Sequence, residues 1–268
     1  MGVFNIEMDI FSPLTLTLMN TIFAMFSTIL GSSCIFFVKN SLNIKCYKIF
    51  LGFTAGIMIS SSIWSLIIPA TELSENKLNN LLGISLGFIL GAILLKLLDK
   101  LISNIILRIN LPVTLSARKK FLLILSSALR NLIEGISIGI AFSLTKSENL
   151  GSFAGAIALS LSMVLQNFPE GFALSIPFKN EKYSNLKSFF IGSIPGLLEP
   201  IGGIIGVLLS TILVSYMPII LAFAAGTIII TVVDEIIPEY NSSSYKNFGT
   251  IGFVFGFLLL LMLDIILK

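Results

Sequence analysis

Histidine is absent from all 268 residues of this chain. That single absence removes imidazole metal ligands, imidazole general bases and every histidine-dependent triad. Cysteine is scarce as well: Cys34 and Cys46 form neither a CxxC pair nor a repeating framework, so they are assigned to packing and not to a zinc ribbon or redox motif. Charge is thin, with 12% Asp, Glu, Lys and Arg against 55% hydrophobic residues and a mean hydropathy of +0.99. Such values lie far outside the soluble range. The net charge of +3 is spread over short segments and makes no basic patch, so nucleic acid is not an expected partner. Residues 1–11 contain Glu7 and Asp9 but no Lys or Arg, which leaves no basic n-region, and the first apolar run is expected to be a retained span. No stretch is long and polar enough for a separate soluble domain, so 1–268 is expected to be one integral-membrane domain lying in a lipid bilayer.

What is present is a series of eight apolar runs, at about 14–38, 49–70, 78–98, 121–144, 151–177, 188–213, 217–238 and 248–267, each long enough to cross a hydrocarbon core as a helix. The longest break, Lys100 to Lys120, is a loop of about 100–120 whose Leu101–Leu111 portion is apolar enough to lie along the membrane surface. With eight spans, Lys39, Lys45, Lys48, the basic residues from Lys96 to Lys120, Lys179, Lys182, Lys187 and Lys246 fall on one side. Only Lys77, Lys146 and Lys268 fall on the other. Cytoplasmic loops retain positive charge during insertion, so both termini are expected outside the cytoplasm.

The runs repeat. Gly87-Phe88-x-x-Gly91 followed by Leu98-Asp99 recurs as Gly252-Phe253-x-x-Gly256 followed by Leu263-Asp264, at a constant offset of 165. Phe53-x-Ala55-Gly56 with Ile67-Ile68-Pro69 recurs as Phe223-x-Ala225-Gly226 with Ile236-Ile237-Pro238. The second and seventh spans cross in opposite senses, so the triplets 1–3 and 6–8 are expected as an inverted repeat around spans 4 and 5. The expected fold is an all-α integral membrane protein with eight transmembrane helices in a 3+2+3 arrangement, a recurrent transporter plan with a site near the midplane.

The two central spans carry a polar echo. Leu129-Arg130-Asn131-Leu132-Ile133-Glu134-Gly135 is matched by Leu165-Gln166-Asn167-Phe168-Pro169-Glu170-Gly171. In a helix, Arg130, Asn131 and Glu134 share one side, as do Gln166, Asn167 and Glu170. An ionisable side chain at mid-membrane costs about 2.5–3.5 kcal/mol on insertion scales, so such residues face partners, water or a substrate path. Glu134, Glu170 and Glu199, from consecutive spans, are the deepest carboxylates. Pro169 removes a main-chain donor and is expected to kink the fifth helix and free the Leu165 carbonyl. Glu199 sits in a segment, 192–203, whose two prolines and four glycines predict a broken or tightly packed helix. Carboxylates with the carbonyl oxygens of Asn131, Gln166 and Asn167 suit a hard or borderline divalent cation. Asp234, Glu235 and Glu239 could pass such an ion on at one end of span 7, and Glu72 and Glu75 could attract it at the other end of the membrane, although each set fits equally well as solvated interfacial carboxylates.

These residues resemble the paired signature of the ZIP (zinc- and iron-regulated transporter-like) family of metal-ion transporters, in its bacterial GufA-like branch. The similarity extends through Phe53-Thr54-Ala55-Gly56-Ile57-Met58, Trp64 to Pro69, Leu198 to Gly203 and Asp234 to Glu239, and so covers nearly the whole chain. It implies a two-metal site: Glu134, Gln166 and Glu170, with Met58 as a neighbour, at one position, and Asn131, Asn167 and Glu199 at the other, the two central glutamates bridging. It further implies movement of divalent metal, most often zinc, into the cytoplasm. Two residues depart from the pattern. Arg130 stands where a metal-binding histidine is expected, and Ile133 replaces the first motif's proline.

A guanidinium cannot ligate a cation and stays charged, so Arg130 is expected to pair with Glu134 and modify the site. Three carboxylates and one guanidinium neutralise one divalent ion, which predicts a single-ion site on Asn131, Asn167, Glu170 and Glu199. The favoured function is a divalent-cation transporter in a bacterial plasma membrane, working by alternating access. Its cargo is zinc first, with iron(II), manganese or cadmium also suited to an oxygen-rich site. A second copy of the chain is a candidate partner. Two alternatives remain open at this level: a transport-inactive or sensing protein of the same fold in which Arg130 and the glutamates form a structural salt-bridge cluster, and a carrier whose Arg130 contacts an anionic solute. Nothing resembles a nucleophile beside its base, so an enzyme is not expected.

Overall fold

The computed structural model describes residues 12–38, 44–72, 77–108, 115–145, 153–181, 183–241 and 245–267. Among them the regular structure is all helical, and it forms eight membrane-length helices. These are α1 (Pro13–Ser33, extended by a 3-10 turn Cys34–Phe37), α2 (Ile44–Glu72), α3 (Lys77–Arg108), α4 (Leu115–Leu144), α5 (Phe153–Asn180), α6 (185–213), α7 (Met217–Asn241) and α8 (Lys246–Leu267). Local signals set several ends. Ser12 caps α1, its hydroxyl accepting from the Thr15 N–H at 3.2 Å with Pro13 in the first turn, and Ser184 does the same for α6 through Lys187.

Seven of the eight helices are apolar enough to span by length and composition alone; α5 is the exception. Its serines, Gln166, Asn167 and Glu170 lower its hydropathy, and they are affordable because this helix is the most enclosed, with Ser160, Ser162, Gln166, Asn167, Glu170 and Ser175 all buried. The loop expected over about 100–120 is helical in its first part: residues 101–108 continue α3 as a single 32-residue helix, and 109–111 lie outside the described residues. No glycine or proline interrupts that stretch, and the first breaker is Pro112, which disfavours helix at the residue before it.

The repeat is visible as duplicated packing. A Cβ at Gly56, Gly252 or Gly256 would run into the carbonyls of Phe253, Ile49 and Phe53, which locks α2 to α8. The counterparts Gly226, Gly87 and Gly91 meet the carbonyls of Phe88, Ile219 and Phe223 in the same way, which locks α7 to α3. Both α2 and α7 also pass through a π turn, at Ser62–Ile67 and Val232–Ile236, just ahead of Pro69 and Pro238. A proline repels the carbonyl one turn earlier, and the wider turn absorbs that clash. The α2 turn is one residue longer, and there the repeat offset slips from 170 to 169.

A second set of close approaches assembles the other four helices. Gly135 abuts the Glu199 carbonyl and Gly202 the Leu132 carbonyl, joining α4 to α6, while Gly171 abuts the Thr28 carbonyl and Gly31 the Phe168 carbonyl, joining α5 to α1. These four contacts also pair up, with α4 standing to α6 as α5 stands to α1. The molecule therefore consists of two glycine-locked units, α1/α4/α5/α6 and α2/α3/α7/α8. Between them lies an apolar seam in which Ile138, Phe142, Leu159 and Met163 of the first unit share a core with Met58, Leu66, Ala225 and Ile228 of the second. Ser61 and Ser162 bridge the seam at 3.2 Å.

Candidate metal centre

The polar residues of α4, α5 and α6 converge inside the first unit. Arg130, Asn131, Glu134, Gln166, Asn167, Glu170 and Glu199 are all at most 5% exposed. Helical spacing puts each motif on one face, and the glycines that close the two motifs, Gly135 and Gly171, bring those faces against α6 and α1. The expected break in α6 is present: the helix stops at Ser193, passes through a 3-10 turn at Pro195–Leu197 and restarts at Leu198. Glu199 thus lies in the first turn of the new helix segment, where free N–H groups favour a carboxylate. The helix α5 continues through Pro169 and Pro177 as one element. Around the first proline, α1 supplies hydroxyls, with Ser27 donating to the Val164 carbonyl at 2.5 Å and Ser32 to the Gly171 carbonyl at 3.0 Å.

Every carboxylate is held by an amide. Gln166 Nε2 donates to Glu134 at 2.8 Å, Asn167 Nδ2 donates to Glu199 at 2.8 Å, and Asn131 Nδ2 reaches Glu170 at 3.3 Å while donating to the Ser127 carbonyl at 2.9 Å. Arg130 extends across from α4 to form an ion pair with Glu170 on α5, and its Nε stands 3.5 Å from Glu134. The expected Arg130–Glu134 pairing is present, but the tighter partner is the carboxylate of the other helix. Ser127 is a participant that the motif did not single out; it lies one turn before Asn131, is buried, and donates to Glu170. Its signal in the sequence was only the helical spacing 127, 130, 134.

Because the amide nitrogens point at the carboxylates, the opposite atoms are left without donors. Asn131 Oδ1, Gln166 Oε1, Asn167 Oδ1, Glu134 Oε2, Glu170 Oε2 and Glu199 Oε1 are all buried with no hydrogen-bond partner among the described residues. Six buried acceptors from three helices without a donor are costly in a dry interior, since each loses the water it would otherwise bind. A cation is a partner that meets that demand with one body. Among the described residues, no group of three or more Asp, Glu, Cys and His side chains is gathered tightly enough to hold an ion by itself. Met58 is buried in the apolar seam, and no hydrogen bond among the described residues joins it to the polar group.

A cavity of about 360 Å³ leads to this cluster from one end of the bundle, lined among others by Tyr47, Lys120, Ser127, Arg130, Glu170 and Glu239. The Lys120–Glu181 ion pair stands at its mouth on one side. On the other side Tyr47 bonds Glu239, and buried Lys48 donates to the Glu239 carbonyl. Of the carboxylates expected at this end of α7, Glu239 lines the cavity, whereas Asp234 pairs with Lys96 at 3.1 Å on the outer flank. The side chain of Glu235 and the whole of Glu75 lie outside the described residues; Glu72 is exposed at the end of α2. Further along α4 and α5, away from Lys120 and Glu181, the buried residues Ile138, Phe142, Leu159 and Met163 are apolar.

Comparison with known proteins gives consistent results. The family model described as ZIP Zinc transporter matches residues 110–264. The chain is 33% identical over 220 residues to the zinc transporter ZIPB of Bordetella bronchiseptica, covering 80% of this chain and 69% of that one. It is 36% identical over 150 residues to the zinc transporter ZIP11 of Xenopus tropicalis, covering 56% of this chain and 45% of the relative. A third relative is the zinc transporter GufA of Myxococcus xanthus, 32% identical over 143 residues, covering 53% and 54%. The chain thus spans less than half of the ZIP11 relative and just over half of GufA.

Proposed function

Because this chain belongs to the ZIP zinc transporter family, we propose that it carries a divalent cation, zinc first, across the bacterial plasma membrane toward the cytoplasm by alternating access. The observation that carries this reading is the set of six buried acceptor oxygens on Asn131, Glu134, Gln166, Asn167, Glu170 and Glu199 that have no donor. Both termini are extracytoplasmic in this proposal, since the cavity end of the bundle is also the end that holds Lys48, Lys120 and Lys179. The single chain forms one transport domain, and a homodimer is compatible with its long exposed apolar faces.

The two glycine-locked units supply the moving parts. Hydrogen bonds such as Ser27–Val164, Ser32–Gly171, Ser160–Asn20 and Asn167–Ala24 tie α1 to α5 inside the first unit. The seam toward the second unit is mostly apolar and, Ser61–Ser162 apart, offers little directional resistance to sliding. In the arrangement described here the cluster communicates with the cavity side. Movement of the first unit past the second would carry the cation between that side and the opposite one.

The charge set supports one ion. Glu134, Glu170 and Glu199 less the guanidinium leave two negative charges, matching one divalent cation and not two. Asn131, Asn167, Glu170 and Glu199 are its proposed ligands, with Glu134 and Gln166 adjoining and Met58 as a lesser neighbour. Oxygen ligands also suit manganese, iron(II) and cadmium. Purified protein in proteoliposomes with a metal-sensitive dye inside tests this: zinc-dependent signal that Glu199→Ala abolishes is expected, and a wild type that neither binds nor moves any of these ions overturns it.

One observation favours a second reading. The buried Arg130–Glu170 ion pair can fix a conformation without any ligand, as in a transport-inactive or sensing protein. On that reading metal fails to raise the thermal stability of the wild type, whereas a bound cation raises it in proportion to occupancy.

A further inference from the structure

Arg130 and Gln166 occupy equivalent places in the two motifs and make equivalent crossed contacts. Gln166 donates to Glu134 across the helix pair, and Arg130 donates to Glu170. The consequences differ, because an amide leaves the carboxylate's charge in place whereas a guanidinium cancels it. The two contacts also differ in depth. Arg130, Ser127 and Glu170 line the cavity, while Glu134, Gln166, Asn167 and Glu199 are fully buried behind them. The carboxylate next to the exit is therefore the one already occupied by a fixed positive charge.

We propose that Arg130 is a tethered competitor that governs release of the cation into the cavity. The inference rests on the transport function proposed above. An ion held by the deep oxygens can meet Glu170 through Oε2, which has no donor, but gains the second oxygen, Oε1, only by displacing the guanidinium, whose attachment at the residue next to Asn131 keeps it at high effective concentration. Its Nε, 3.5 Å from Glu134, keeps the side chain within the site during that exchange. Return of the guanidinium to Glu170 takes back Oε1 and neutralises the carboxylate, which loosens the ion on the cavity side alone. Arg130 thus acts on the ion through Glu170, as a positioning residue, and lowers affinity in the state that faces the cavity.

The test uses the full-length chain with zinc as the probe, binding measured by titration calorimetry and uptake in proteoliposomes. Arg130→Gln, which copies the other half of the site, is expected to tighten zinc binding by about tenfold to a hundredfold, the scale set by removing one nearby charge. KM and kcat are expected to fall together, because release becomes slow. Arg130→Lys retains the charge without the fork and is expected between the two, about two- to fivefold tighter than wild type. If Arg130→Gln does not fold, the lysine variant decides. A variant that binds zinc no more tightly than wild type, with KM unchanged or raised while the wild type transports, overturns the competitor role and leaves the transport proposal standing. A wild type inactive toward zinc, manganese, iron(II) and cadmium sinks the transport proposal itself.

Discussion

The halves of the site contributed by α4 and α5 have the same geometry and opposite electrostatics. Each presents two polar side chains, a carboxylate one turn later and a glycine that seats the helix on a neighbour. Each sends its first polar residue across to the other's carboxylate: Gln166 to Glu134 and Arg130 to Glu170. In the α5 half the crossing group is neutral and fully buried; in the α4 half it is charged and lines the cavity. The neighbours differ too, since Gly135 meets the carbonyl of Glu199 and Gly171 that of Thr28. One packing scheme thus seats the first motif on the main chain of Glu199, whose carboxylate bonds Asn167 of the second motif, and seats the second motif on the main chain of a neutral hydroxyl residue. Repeated backbone geometry brings the two motifs together, and the unequal side chains make the cluster asymmetric toward the cavity.

Breaking the charged half should have the largest effect. Glu170→Ala leaves Arg130 buried without its main partner, and the expected loss is about 3–5 kcal/mol of stability, seen as a lowered melting temperature in detergent, together with loss of metal uptake. Retention of both would mean that the two halves are interchangeable. Copying the charge onto the other half is next: Gln166→Arg reduces the net site charge to minus one, and zinc affinity should fall by about a hundredfold in titration. Unchanged affinity there would break the link between site charge and occupancy. The smallest effect is expected from Ser127→Ala, which removes one hydroxyl donor from Glu170. About 1 kcal/mol of stability and a shift of a few fold in KM are expected, with the Gln166–Glu134 contact unaltered.

Much of the fold was legible because membrane insertion leaves few choices. Eight apolar runs, the break at Pro195–Gly196 and the duplicated Phe-x-Ala-Gly and Gly-Phe-x-x-Gly patterns each carry a local physical cause, and all reappear in the structure. The 101–108 segment was misjudged because its polar neighbours suggested a loop while its own residues contain no helix breaker. The correspondence of α1 with α6 followed in the sequence only from the order of the triplets, with no motif of its own. It rests on Gly31 and Gly202 meeting the carbonyls of Phe168 and Leu132, and single glycines in apolar helices leave no pattern to align.

For the site, the sequence by itself determined the inventory: three deep carboxylates, three amides, no imidazole, and one guanidinium where a ligand is expected. Helical periodicity also fixed which of them share a face. Only the tertiary structure decided the partners. It turned Arg130 chiefly toward Glu170 and not along its own helix to Glu134, brought Ser127 into the cluster, put Met58 in the apolar seam and opened the cavity on the Arg130 side. Contacts within a helix follow from a fixed rise and turn, whereas contacts between helices depend on how closely the backbones approach, and that distance is set by the glycines that meet the carbonyls of the neighbouring helix.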